Sequence, residues 1–309
     1  MDFILSVTDR WPYLARVLDA MVTAWPEHAK FLATRFANAD DPTLPICEEV
    51  AGLVLTIASG DLAPYCAGYR WFCEASVIED VHFRRTGRYR RSTFAEVYRD
   101  IYSDAAYMDR YMKGLLLSQI LWTNHARAFL FYLDRFLARV PSGGDYLEVG
   151  PGHGLLLRFA ANAPAVRSVT GWDVSDSSLA ATRAMLDALG VTRPITLQRH
   201  DIHQPAPAGV AFDAIAVSEV LEHLEQPEDA LVRLRALLRP GGVIYANVPV
   251  NSPAPDHIFL WRDPAEVEAL VTACGFTIVD REAAPATGYD LRRAMDSRYT
   301  VNCLIVARA

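Results

Sequence analysis

Asp145-Tyr146-Leu147-Glu148-Val149-Gly150-Pro151-Gly152-His153-Gly154 runs from a short β-prone segment into glycine at alternate positions. An apolar helical pattern, residues 155–161, follows at once. Strand, glycine turn and helix in this order open a nucleotide-binding βαβ unit. The glycines allow backbone angles closed to other residues and let a ligand approach the main chain. Dinucleotide folds space this turn as G-x-G-x-x-G. Here the spacing is Glu-x-Gly-x-Gly-x-Gly, so the third glycine comes one residue early. The Glu148 carboxylate at the strand end would repel a pyrophosphate and attract an ammonium or sulfonium group.

Outward from this stretch the chain changes character. Pro141-Ser142-Gly143-Gly144 reads as a hinge. Beyond it, strands alternate with helices, as a parallel sheet requires. The strands are expected at 146–149, 169–174, 195–198, 212–217, 243–248, 276–279 and 301–306. Before it there is no strand-like alternation. Leu14, Val17, Leu18, Met21 and Val22 recur at helical spacing, Pro26 opens a second helical stretch, and residues 50–58 suit a buried helix. Leu115 through Leu137 fit one long amphipathic helix. Two regions are therefore expected: a helical cap and substrate-binding region over 1–139, and a sheet domain over 140–309.

Further motifs follow in order. Asp173, then Val174, ends the second strand about twenty residues after the glycine turn, where a carboxylate can accept both ribose hydroxyl protons. The competing reading is a helix cap for the 175–178 stretch. His200-Asp201-Ile202 ends the third strand. Phe212 to Leu224 and the Arg239-Pro240-Gly241-Gly242 turn precede the next two. This ordered set, covering Asp145 to the C-terminus, resembles class I S-adenosylmethionine (SAM)-dependent methyltransferases. The resemblance implies an α/β fold: a Rossmann-like, seven-stranded, mostly parallel sheet flanked by helices, with the last strand antiparallel beside the fifth. It implies SAM across the carboxyl ends of the first three strands. Glu148, Gly150, Gly152 and Gly154 would face its amino acid part, Asp173 and Val174 the ribose, and Asp201 and Ile202 the adenine. Ser218 and Glu219 would complete the cofactor set.

Glu219, Glu222 and His223 are spaced i, i+3, i+4, one face of a helical turn. Two carboxylates and an imidazole this close suit a divalent cation such as Mg²⁺, with His257 as a fourth ligand. Glu-x-x-Glu-His resembles ubiquinone-pathway O-methyltransferases. With the later Asp256-His257-x-Phe259-x-Trp261 it also resembles small-RNA 2′-O-methyltransferases, although Leu224 stands where those carry a second histidine. The alternative is metal-free, with His223 as a base or packing residue. Glu222, His223 and His257 are the candidate catalytic residues.

Composition narrows the class. A net charge of −7 disfavours a general nucleic-acid binder. Five cysteines without a C-x-x-C pair suit reduced thiols, hence a cytoplasmic protein. Asp2 and the absence of a basic N-terminal run argue against a signal peptide, and no apolar run is long enough to span a bilayer. Arg84, Arg85, Arg88, Arg90 and Arg91 form either a solvated segment or a clamp for an anionic acceptor. Tyr98, Tyr102, Tyr107 and Tyr111 read mainly as packing residues, of which one or two could stack on adenine or line the substrate pocket. The expected activity is methyl transfer to a small molecule in specialised metabolism, with O-methylation favoured; the clamp reading of the arginines goes with an acceptor that carries an anionic group. C- or N-methylation, or a SAM-binding non-catalytic subunit, is the alternative. A homodimer is allowed for, without nucleic acid or membrane as partner.

Overall fold

The structure, a computed structural model, describes residues 10–207 and 209–309, so Asp2 lies outside the described residues. The chain forms two compact units. One takes the described part of Met1–Leu130 with Ser252–His257 and Ala284–Thr300; the other takes Phe131–Asn251, Ile258–Ala283 and Val301–Ala309.

The first unit is helical. Its elements are α1 (Pro12–Ala24), α2 (Ala29–Arg35), α3 (Leu44–Ile57), α4 (Ala63–Thr86), the short α5 (Phe94–Val97), α6 (Ala105–Leu121) and α7 (Thr123–Phe131). On α1, Leu14, Val17, Leu18 and Met21 are fully buried, as their spacing predicts. Its first-turn amides have no side-chain cap of their own. Instead Glu48 of α3 accepts the N–H groups of Tyr13 (3.0 Å) and Leu14 (2.8 Å). The axes of α4 and α6 approach closely at a glycine pair: a Cβ on Gly114 would lie 2.7 Å from the Gly68 carbonyl oxygen. The single helix expected over Leu115–Leu137 is broken at Trp122, whose backbone is extended (φ −104°, ψ 131°). The cause is tertiary. The Trp122 indole N–H donates to Tyr69 Oη (2.9 Å), and the Thr123 amide donates to Thr287 Oγ1 (2.9 Å).

The second unit is a seven-stranded sheet: β1 (Gly144–Val149), β2 (Val166–Asp173), β3 (Ile195–Arg199), β4 (Phe212–Ser218), β5 (Leu238–Val250), β6 (Thr277–Pro285) and β7 (Val301–Arg308). The order is β3-β2-β1-β4-β5-β7-β6. β3, β2, β1, β4 and β5 run parallel, and β7 lies antiparallel against β5, as expected. Helices α8 (Leu155–Asn162), α9 (Asp176–Ala188), α10 (Pro227–Ala236) and α11 (Pro264–Ala273) connect the strands. The sheet centre is almost wholly apolar, which suits strands covered on both faces. Arg239–Gly242, expected as a turn, falls inside β5. It is still an irregularity, because Phe212 faces Leu238 while Ala214 already faces Val243.

The amino end of β1 is braced by charge. Asp145 accepts from Arg167 (2.6 Å), Ser168 (2.6 Å) and Arg239 (2.8 Å). These donors, Arg167 foremost, hold its carboxyl down at about 2. Among the described residues no helix is long and apolar enough to cross a membrane.

Candidate functional site

The carboxyl edge of the sheet gathers the polar residues. β1 ends at Val149, and Gly150, Gly152 and Gly154 all adopt positive φ (66°, 48° and 69°). The Gly150 amide donates to the Trp172 carbonyl at 2.8 Å, tying the turn to β2. A Cβ on Gly150 would lie 2.7 Å from Val220 Cγ2, so only glycine fits there. Thr182 Oγ1 of α9 donates to the Gly152 carbonyl at 2.7 Å. His153 Nδ1 accepts the Leu155 amide (3.3 Å), consistent with burial pushing its pKa down to about 4. Glu148 is 3% exposed, and burial raises its carboxyl well above the ordinary range. The Tyr146 hydroxyl donates to it at 3.4 Å. Burial thus disfavours its charged form, which an approaching cation would favour.

Asp173 stands at the end of β2, half-buried. Oδ1 accepts the Ser175 amide (2.9 Å) and Oδ2 the Ser178 hydroxyl (2.7 Å). The N-cap of α9 is Ser175, whose Oγ accepts the Ser178 amide, so capping does not require Asp173. Val174 is 39% exposed beside it. After β3, Asp201 accepts the His203 amide (2.9 Å), and Ile202 is buried.

At the end of β4 the backbone departs from the expected helical turn. Ser218 closes the strand, Glu219 takes a left-handed φ of 53°, and only Leu221–His223 form a 3₁₀ turn. Glu219 therefore does not share a helical face with Glu222 and His223. Its amide donates to the Asn247 carbonyl (2.9 Å), and its carboxylate accepts from the Asn302 side-chain amide. Asn302 also donates to Asn247 Oδ1 (2.7 Å), and Asn247 donates to Ser218 Oγ (3.0 Å). Glu222 is fully buried, with Oε1 3.6 Å from His223 Nε2. The Glu222 carbonyl accepts the amides of both Ile258 and Phe259 at 2.9 Å. Asn247 and Asn302 escaped the sequence reading. The one available signal was two amides amid otherwise apolar strands.

Within the helical unit, His257 is 5% exposed. Its Nδ1 lies 2.7 Å from the Ser252 carbonyl, which can only accept, so Nδ1 carries a proton. Asp256 accepts from Tyr102 (3.2 Å) and Tyr111 (3.3 Å), a role beyond the packing expected of these tyrosines. Arg91 donates to the Pro255 carbonyl (2.8 Å). Arg84, Arg85, Arg88 and Arg90 are exposed. Arg84 pairs with Asp80 (2.6 Å) and Arg90 with Glu79 (3.0 Å).

Comparison with known proteins gives this geometry a family. A profile described as "Methyltransferase domain" matches residues 147–244. The ubiquinone biosynthesis O-methyltransferase of Rhizobium etli is 28% identical over 193 residues, covering 55% of this chain and 76% of that one. An O-methyltransferase of Pyrenophora dematioidea is 30% identical over 162 residues, covering 51% and 59%. Among solved structures, a chain of a Haloferax volcanii complex between a methyltransferase activator and a methyltransferase superposes with TM-score 0.52 at 20% identity. That match covers 66% of this chain and 95% of that one, and it bears on the fold alone. With the glycine turn after β1, the antiparallel β7 and these relatives, the chain is a class I SAM-dependent methyltransferase.

Proposed function

We propose that this methyltransferase acts on a hydroxyl group of a small molecule, in specialised metabolism. The observation that carries the reading is the Glu222–His223 pair, a buried carboxylate 3.6 Å from an imidazole just past β4. Such a pair can take the proton that an attacking hydroxyl must lose. The names of the relatives, O-methyltransferases, support oxygen as the acceptor atom. SAM is held by Glu148 and Gly150, Gly152 and Gly154 at its amino acid end. Asp173 and Val174 take the ribose, Asp201 and Ile202 the adenine, and Ser218 closes the set. Catalysis is then mainly positioning, since the methyl group moves by in-line displacement.

The sequence motif further suggests a divalent cation, for which the carboxylate and imidazole donors of Glu222, His223 and His257 are suitable chemistry. Ile258 has its amide on the Glu222 carbonyl, at 2.9 Å. When bound, such an ion lowers the pKa of an acceptor hydroxyl. Labelled SAM offered with a panel of phenols, catechols, amines and carbon nucleophiles, before and after chelation, tests both parts. Transfer to a hydroxyl compound, lost on chelation and restored by Mg²⁺ or Mn²⁺, is expected. Transfer confined to amines would sink the oxygen reading, and full activity after chelation would remove the metal. In that second case His223 is left as a base or a packing residue, and the kinetics of His223→Ala across pH choose between the two.

A further inference from the structure

The end of the sheet carries a polar cluster that neither the glycine turn nor the Glu222–His223 pair requires. β4, β5 and β7 are apolar along their buried lengths, yet all three turn polar at one edge. Ser218 pairs with Asn247 across β4 and β5, and Asn302 enters β7 opposite Pro249. Because β7 runs antiparallel, its beginning lies at the same carboxyl edge as the end of β5. Asn247 is 3% exposed and Asn302 not at all. Buried amides are costly unless fully hydrogen-bonded, and these are bonded to each other, to Ser218 and to Glu219.

The last link is strained. Glutamate at φ 53° is disfavoured by about 1–2 kcal/mol, where glycine would sit freely. Glycine at 219 with an apolar residue at 302 would make the same turn without strain or buried amides. Strain that the surroundings enforce tends to mark a working site. Apart from Ser218, the proposed SAM set lies on β1 to β3, which leaves the rest of the β4, β5 and β7 part of the edge for the other reactant.

We infer that Glu219 is the acceptor-recognising residue, its carboxylate taking a hydrogen bond from a donor on the methyl acceptor, and that Asn302 and Asn247 are positioning residues that aim it. This rests on the reading of a small-molecule acceptor. It removes Glu219 from both the SAM set and the metal set that the sequence suggested. A carboxylate already oriented by an amide selects acceptors with a second hydroxyl or an ammonium group near the methylated atom.

Three variants test it, using the acceptor with the highest turnover in the labelled-SAM panel. Glu219→Gln and Asn302→Ala are expected to raise the acceptor KM about tenfold or more, the effect of losing a charged hydrogen bond. The Kd for S-adenosylhomocysteine should stay within about twofold of wild type in both, since no group facing it has changed. Glu219→Gly, which relieves the backbone strain but takes an acceptor from the buried Asn302 amide, is expected to lose acceptor affinity like Glu219→Gln. Two results would overturn the inference: a Glu219→Gly enzyme with wild-type acceptor KM, which would make the residue a turn former only, or a parallel loss of S-adenosylhomocysteine affinity in all three. An amine as best acceptor would sink the oxygen reading of the function without touching this test, which is scored on that amine by the same criteria.

Discussion

Replacing Asp173 by asparagine separates its contacts with α9 from the ribose role proposed for it. Its carboxylate accepts the Ser175 amide at 2.9 Å and the Ser178 hydroxyl at 2.7 Å, both at the start of α9. Asparagine keeps the first bond through its own Oδ1. Its Nδ2 can donate to Ser178 Oγ, which then accepts instead of donating. The fold should therefore survive, and what disappears is the anionic charge that the proposed ribose contact needs. Losing hydrogen bonds to a charged group costs about 1.5–3 kcal/mol, roughly a 10- to 150-fold weaker Kd. Asp173→Ala removes the helix-start bonds too, at about a further 1 kcal/mol of stability. Calorimetric titration with S-adenosylhomocysteine, paired with thermal melts, reads both effects. Ser178→Ala is the control, expected to lose some stability and little affinity. If Asp173→Asn binds as tightly as wild type, the carboxylate serves only α9 and the ribose assignment is wrong.

Three other outcomes are expected. Burial raises the Glu148 carboxyl, so the folded state holds a proton that the unfolded state has lost, and stability falls as pH rises above the ordinary glutamate range. Urea melts across that range should slope downward for wild type and lie flat for Glu148→Gln, which should also bind SAM more weakly. Asp145 has the opposite sign: its folded pKa of about 2 lies below the free value of 3.8, so its stabilisation is present above 3.8 and drains away as pH falls through about 2. Asp145→Asn should flatten that acid limb, and acid melts of the two proteins check it. Gly150→Ala places a methyl 2.7 Å from Val220 Cγ2 at φ 66°, and should cost about 1–3 kcal/mol of stability by denaturant titration.

The strands were readable because alternation and apolar runs are local signals, and the glycine turn because its spacing lies within seven residues. Even the antiparallel β7 was expected, through resemblance. What the sequence hid depends on partners far along the chain. Trp122 breaks a helix that its neighbours favour, because Tyr69 and Thr287 offer better hydrogen bonds. Glu219 looks like the first residue of a helical triad, yet Asn302, 83 positions later, holds it. Asp256 finds its phenols 154 and 145 residues away. No periodicity encodes such pairings, since each depends on sheet order and not on spacing.

The helical unit is not one stretch of chain. Its last pieces, Ser252–His257 and Ala284–Thr300, are excursions from between strands of the sheet. During synthesis, then, the helices at the front of the chain leave the ribosome long before the segments that finish their unit, and Asp256 reaches Tyr102 and Tyr111 only after most of the sheet has been made. Neither unit can be excised by a single cut. An engineer wishing to exchange the helical unit would have to replace three segments together, and a truncation near residue 130 would yield a front piece lacking two of its own parts.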